Sequence, residues 1–551
     1  MSKTISILLL LSVFINAFAQ DSTILSPRVV AVPPSDAYIG LSLLETGEIR
    51  HYNYGEQAEP GSFYLSSTDK GFTWKKVKTP KEIPFADTRS PKSGEYLRLI
   101  AAPGMGVYAL RTEGGINGDR VLRKVSDTLA IMLKPPVFIR NGNRAIVGAH
   151  YGTQKGLPKV CFTYVSDDDG LSWRRSSYVA TPDHKGGGFH QGIRWNHGAA
   201  EPTIVELNDE RLWMLIRTSQ DNHYQSFSDD GGLTWSEAEP SPFYGTITMA
   251  TIGRLKDGRL LFLWSNTTPL PEVGNTNGVW DDVFTNRNAI HAAISSDDGK
   301  TWTGFRELYL DPRRDAADFG STPGIDKSVH QSQFVETEPG RVLVSLGQHP
   351  LHRVMLIFDV DWLNEKSRFC DFSDGLKQWS VFNYYKGIVG HCGYNRTPGC
   401  KLVDGKLRIK YVENDTLLSS QRGAVWNFPA FKKGSFSASI RFNDSSVKGA
   451  LLLNDRWFNP TDSVAKHFAP FEIPLNPKTL KIFDDSFHTL RVDWNLDTKN
   501  PKAVVFVDNK KRLTVPLKNP SLHGLSYVHF LSDTNPADKG FDIEWVKASM
   551  N

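Results

Sequence analysis

One pattern constrains this chain more than any other feature: the eight-residue motif S-x-D-x-G-x-[ST]-W occurs four times. The first copy reads Ser67-Thr68-Asp69-Lys70-Gly71-Phe72-Thr73-Trp74, and the others occupy 166–173, 228–235 and 295–302. Each follows a short strand of alternating character, so each closes a β-hairpin. Within the turn the Asp carboxylate can accept backbone and hydroxyl hydrogen bonds, the glycine tolerates positive φ, and the Trp packs on the neighbouring hairpin. The aspartates at 69, 168, 230 and 297 stand 99, 62 and 67 residues apart. Repetition at such a period means a solenoid, a propeller or an array of like units.

The motif resembles the Asp-box of the sialidase (neuraminidase) superfamily, whose members are BNR-repeat β-propellers; the likeness covers roughly residues 25 to 365. It implies that the four aspartates are structural, on hairpins away from the active face. Spacings of 62 and 67 residues each suit one four-stranded blade, and 99 leaves room for two, with a degenerate turn near Ser126-Asp127. A last blade around 341–362 brings the count to six, and closing the ring removes exposed sheet edges.

Past Trp362 the motif stops while alternation continues, in 436–442, 490–494 and 541–546, with a hairpin turn at Asp508-Asn509. These features resemble the concanavalin-like (laminin-G-like) sandwiches attached to glycan-active enzymes, which leaves open either sugar binding or packing. The expected architecture is all-β: a signal peptide over 1–19, a six-bladed propeller over 20–366 and a β-sandwich (jelly-roll) domain over 367–551. Lys3, the apolar run 5–15 and Ala17-Phe18-Ala19 form the export signal, predicting a secreted or periplasmic protein. That run is too short for a membrane span.

Charge is nearly balanced, 64 Lys+Arg against 60 Asp+Glu, which argues against a nucleic-acid partner. Of the four cysteines, Cys392 and Cys400 bracket a loop that a disulfide could close, and Cys161 reads as a buried thiol. No C-x-x-C or H-E-x-x-H spacing occurs, and no metal or organic cofactor is implied.

The superfamily holds a substrate carboxylate with three arginines, because guanidinium forks match carboxylate geometry. It pairs a tyrosine nucleophile with a glutamate and uses an aspartate as acid/base. Glu201-Pro202-Thr203-Ile204-Val205-Glu206-Leu207, followed 16 residues after Glu201 by Arg217, is similar to the E-x-x-x-V-E-L…R segment. Arg287, eight residues before Ser295, matches the third arginine, and Arg28 occupies the place of the first in a degraded motif. The tyrosine is missing: Val329-His330-Gln331-Ser332 fills its segment, so His330 or Gln331 takes its slot. The aspartate is also missing, its region reading His51-Tyr52-Asn53-Tyr54. Tyr52, Tyr54 and Tyr151 are candidates for a relocated tyrosine, and His190 in the glycine-rich loop 183–196 for a sugar contact. Histidines 190, 197, 330, 349 and 352 are dense in this part of the chain, while Arg313-Arg314-Asp315 reads as a solvated charged loop.

The resemblance and the export signal together point to a secreted glycoside hydrolase acting on acidic oligosaccharide or polysaccharide; Glu201 and His330 are the catalytic candidates, and Arg217, Arg287, Arg28 and His190 the substrate-binding ones. Two alternatives stand beside an exo-sialidase. One is a histidine-dependent hydrolase or lyase cleaving next to uronic acids. The other is a non-catalytic glycan-binding protein.

Overall fold

The computed structural model describes residues 24–53, 63–78, 88–102, 105–128, 130–152, 158–184, 196–245, 247–268, 287–316, 328–384 and 396–551, less 415, 418, 463, 534–536 and 538. Its first part is six four-stranded antiparallel sheets. The first strands of these sheets, Leu41–Leu43, Thr88–Arg89, Val137–Ile139, Ala200–Glu206, Thr251–Arg254 and Gln333–Glu338, all border one axial cavity of ≈ 280 Å³. That arrangement is a six-bladed propeller. Apolar faces of adjacent blades pack on each other around the ring, as where Leu261 and Leu263 meet Val342 and Val344.

The ring closes on its own beginning. The sixth sheet takes Gln333–Glu338, Arg341–Leu346 and Val354–Asp359 from the end of the propeller and Arg28–Ala31 from its start, with Arg28 opposite Ile357. Arg28 is thus exposed on an outermost strand, not at the axis.

All four repeated hairpins join the third and fourth strands of a blade, at the opposite end from the entrances of the first strands. In each the aspartate closes the turn. Asp230 Oδ1 accepts from Ser228 Oγ at 2.9 Å, Leu233 N at 3.0 Å and Thr234 N at 2.9 Å, and Oδ2 accepts from Thr234 Oγ1 at 2.7 Å. These bonds outweigh the effect of burial and lower its pKa to about 2. Asp230→Ala should therefore reduce stability by about 1–2 kcal/mol without altering ligand affinity, as read by denaturant titration. Since a depressed carboxyl pKa stabilises only above its unfolded value, this difference should shrink as pH falls from about 4 toward 2.

In the second blade Ser126-Asp127 is not the degenerate turn. It ends the fourth strand, Asp119–Ser126. The equivalent hairpin lies at 114–118, where Gly114 N and Gly115 N donate to the Glu95 carboxylate at 3.0 and 2.9 Å.

Ser367–Cys370 opens a sandwich of one eight-stranded and one five-stranded sheet. Its core holds Trp379, Trp426, Phe436, Val492, Phe530 and Phe541. The Asp508-Asn509 turn has φ of 49° and 62°, the left-handed pair that a tight hairpin requires. Cys392 lies outside the described residues; Cys400 is buried with Sγ 3.3 Å from the Gly423 carbonyl, and Cys161 is a buried free thiol. No helix among the described residues is long and apolar enough to cross a membrane.

The outer face of the five-stranded sheet docks on the propeller. Tyr527 Oη donates to Glu307 Oε1 at 2.8 Å and contacts His291 Nε2, while Asn427 Nδ2 donates to Phe305 O at 3.0 Å. Arg314 corrects the solvated-loop reading: it is 2 % exposed. Its guanidinium donates to the sandwich carbonyls of Trp379 at 3.0 Å and Leu376 and Lys377 at 2.8 Å. Arg396 of the sandwich answers it, donating to Arg314 O at 3.2 Å and Asn288 Oδ1 at 3.3 Å. Of the two roles open for this sandwich, packing is the one this face performs.

Candidate functional site

The first strands start, and the second strands end, on the face opposite the repeated hairpins. There the fourth blade presents Glu201 and Arg217, brought together because Ala200 pairs with Arg217 across the hairpin. Register shifts between Ala200 and Thr203, and Glu201 sits at φ 46°, in the left-handed region. A bulge of this kind re-aims a side chain, and a non-glycine residue held there stores strain. The result is a buried ion pair, Arg217 Nη1 to Glu201 Oε2 at 2.7 Å, with both side chains 7 % exposed.

Burial alone would raise the Glu201 pKa, but Arg217, His150 and Lys134 outweigh it and hold the carboxyl down at about 2. Glu201 is therefore an anion at any working pH: a base, an orienting group or a stabiliser of positive charge, and not a proton donor. Glu201 N donates to His150 Nδ1 at 3.1 Å, which leaves the proton of the neutral ring on Nε2. Burial, reinforced by Lys159, Arg217 and Lys134, lowers the His150 pKa to about 3.

Arg287 is buried at the entrance between the fifth and sixth blades, with Nη2 donating to Ile247 O. Its own carbonyl accepts from Val329 N at 2.9 Å, so His330 lies on the neighbouring segment, fully buried, with its carbonyl bonded to Gly347 N at 3.0 Å. Gln331 beside it is a second strained residue, at φ 64°. His197 ties the two halves together electrostatically: after burial, Arg217, Lys159, His150 and Arg287 push its pKa well below the ordinary value. Glu201, Arg217, Arg287 and His330 thus share one face. Arg28 does not join them, and His190 lies outside the described residues.

Among the tyrosines weighed for relocation, Tyr52 turns to the first-blade wall, its hydroxyl accepting from Arg50 Nη1 at 3.3 Å. Tyr151 is packed beside the third-blade core, and Tyr54 is outside the described residues. Tyr38 instead borders the axial cavity. Its pKa is raised by burial and by the Asp36 and Glu201 carboxylates, against Arg98, so the phenol keeps its proton. His352 is paired through Nδ1 to the buried Asp311 carboxylate, and His349 Nδ1 accepts from Leu351 N at 3.2 Å. No group of three His, Cys, Asp or Glu side chains among the described residues is placed to hold a metal.

Residues 119–344 match the family described as BNR repeat-like domain. The matched stretch lies wholly within the propeller. No curated protein sequence matches the chain. A Dyadobacter fermentans protein of unknown function is similar in structure, with 17% identity and TM-score 0.40, over 61% of this chain and 99% of that one. A Hadza microbial sialidase has 15% identity and TM-score 0.42 over 61% and 69%, and a Trypanosoma rangeli sialidase 11% and 0.33 over 94% and 92%.

The propeller brings in four groups that the motif comparison passed over: Tyr38, Lys134, His150 and Lys159. One signal was available. His51 and His150 each stand 16 residues before the serine of an Asp-box, at the ends of second strands. The two differ in outcome: His51 Nε2 lies 3.0 Å from Ser345 Oγ, whereas His150 Nε2 is buried with no hydrogen-bond partner among the described residues.

Proposed function

We propose that this chain is an exported enzyme that processes carboxylate-bearing glycans at the axial face of its BNR propeller, as a glycoside hydrolase. The observation that carries the reading is the charge of that face. Glu201, an ionised carboxylate, stands among Arg217, Lys134 and Lys159, and Arg287 acts with Arg217 and Lys159 on His197. Such an excess of buried positive charge suits an anionic substrate, and Glu201 is held in the form that can offset positive charge developing at an anomeric carbon.

Elimination next to a uronate is the second reading, favoured by one observation. No tyrosine stands at 330 or 331, while Tyr38 is kept as a neutral, proton-bearing phenol at the cavity. In that reaction a base takes the C5 proton, the C4–C5 double bond forms as the C4–O bond breaks, and the departing oxygen takes a proton.

The test is release of fluorophore from aryl sialosides and aryl glucuronides by the mature protein, with uronate oligosaccharides assayed in parallel for unsaturated products. Turnover of an acidic substrate that falls at least tenfold in Arg287→Ala supports the reading. A folded protein that neither turns over nor binds any acidic sugar overturns it.

A further inference from the structure

Among the described residues, three cationic or proton-bearing groups at this face make no ion pair or hydrogen bond to a carboxylate, and their placement defines a subsite. Lys134 precedes Pro135 and Pro136 at the entrance to the third blade, and Nζ reaches across to abut Met249 Sδ before the fifth. A thioether is a weak acceptor, so this contact does little for an ammonium. Lys159, also on the third blade, has Nζ 3.4 Å from His197 Nε2, again a neutral partner. Both lysines act electrostatically on His150, which is 1 % exposed, with Nδ1 fixed as an acceptor and the Nε2 proton unpartnered among the described residues. The nearby arginines are engaged elsewhere: Arg217 with Glu201, and Arg287 with the Ile247 carbonyl.

We propose that Lys134, Lys159 and His150 Nε2–H form the subsite that takes the carboxylate of a sugar acid, in place of an arginine triad. This rests on the acidic-glycan reading above and names the groups that recognise the acid. A carboxylate there would give His150 Nε2–H an acceptor and both ammonium groups a charge-assisted hydrogen-bond partner.

The choice of lysine over arginine has a consequence that can be measured. Burial, opposed by Glu201 and assisted by Arg217, lowers the Lys134 pKa to about 8, with Cys161 also nearby. Lys159, lowered by burial and Arg217 against Glu201 and Cys161, likewise stands at about 8. Both are cationic below that pH and neutral above it, whereas a guanidinium does not titrate in this range. Carboxylate affinity should therefore fall as pH rises through about 8, and bound acid should raise the melting temperature most below it.

The experiment is an NMR titration of the full chain with D-glucuronate and N-acetylneuraminate, D-glucose as neutral control, at pH 6.5 and 9.5. We expect an acid to bind at least tenfold more weakly at pH 9.5. Lys134→Met and Lys159→Met should each weaken binding at pH 6.5 while keeping or raising the melting temperature, and Lys134→Arg should carry binding to higher pH. Binding that persists unchanged at pH 9.5, or in both methionine variants, overturns the lysine subsite and leaves the acidic-glycan reading standing on arginine. No binding of either acid at pH 6.5, in protein with a cooperative melt, overturns both.

Discussion

Glu201→Gln should lower turnover of an acidic glycan by about two to four orders of magnitude, the range for removing a positioned acid–base or charge-stabilising group. The substitution keeps the volume and the backbone at φ 46°, and an amide oxygen can still accept from Arg217 Nη1 at the 2.7 Å contact. What it removes is the anion that Arg217 and Lys134 stabilise. The loss should therefore fall on kcat, and because the buried ion pair with Arg217 is also lost, the melting temperature should drop while the melt stays cooperative. A variant that retains most of its kcat would remove Glu201 from the chemistry and leave it as the partner of Arg217 alone. The pH profile adds a check. With its carboxyl at about 2, Glu201 contributes no acid limb near pH 4, so any such limb belongs to another group.

Arg314→Ala should have the largest effect on stability. Its guanidinium donates to Trp379 O, Leu376 O and Lys377 O in the sandwich and to Asp311 O at 2.8 Å in the propeller. Truncation leaves several buried carbonyls without donors, at about 1–3 kcal/mol each where water cannot reach them. A loss of about 3–5 kcal/mol follows, and differential scanning calorimetry should show one transition splitting into two as propeller and sandwich separate. A single transition with an unchanged midpoint would mean that the Tyr527, Glu307 and Asn427 contacts suffice to hold the domains.

That residue also marks where sequence reading loses sight of structure. The Asp-boxes were legible because each is local: serine, aspartate, glycine and tryptophan meet within eight residues, and the hairpin geometry is complete in the motif. Glu201 and Arg217 were legible for a related reason, since one hairpin joins them. Arg28 matched its motif by order along the chain, but order does not reveal that this strand is handed to the sixth blade. Arg314 looked solvated because its charge is visible in sequence and its four carbonyl partners, main-chain groups 3 to 65 residues away, are not. Lys134 and Lys159 precede two different strands of the third blade and Tyr38 precedes the first blade, so only the folded ring sets all three near one carboxylate.

The closing strand carries a consequence for how the molecule is made. Arg28 leaves the ribosome 329 residues before its partner Ile357. At about 5–20 residues per second, that strand waits roughly 15–65 s for the segment it must pair with. Meanwhile Val354–Asp359, once made, presents an open edge that any extended segment could occupy. The first strand to be synthesised thus acts as the last latch, and the propeller's vulnerable period in biogenesis is set by its own circumference.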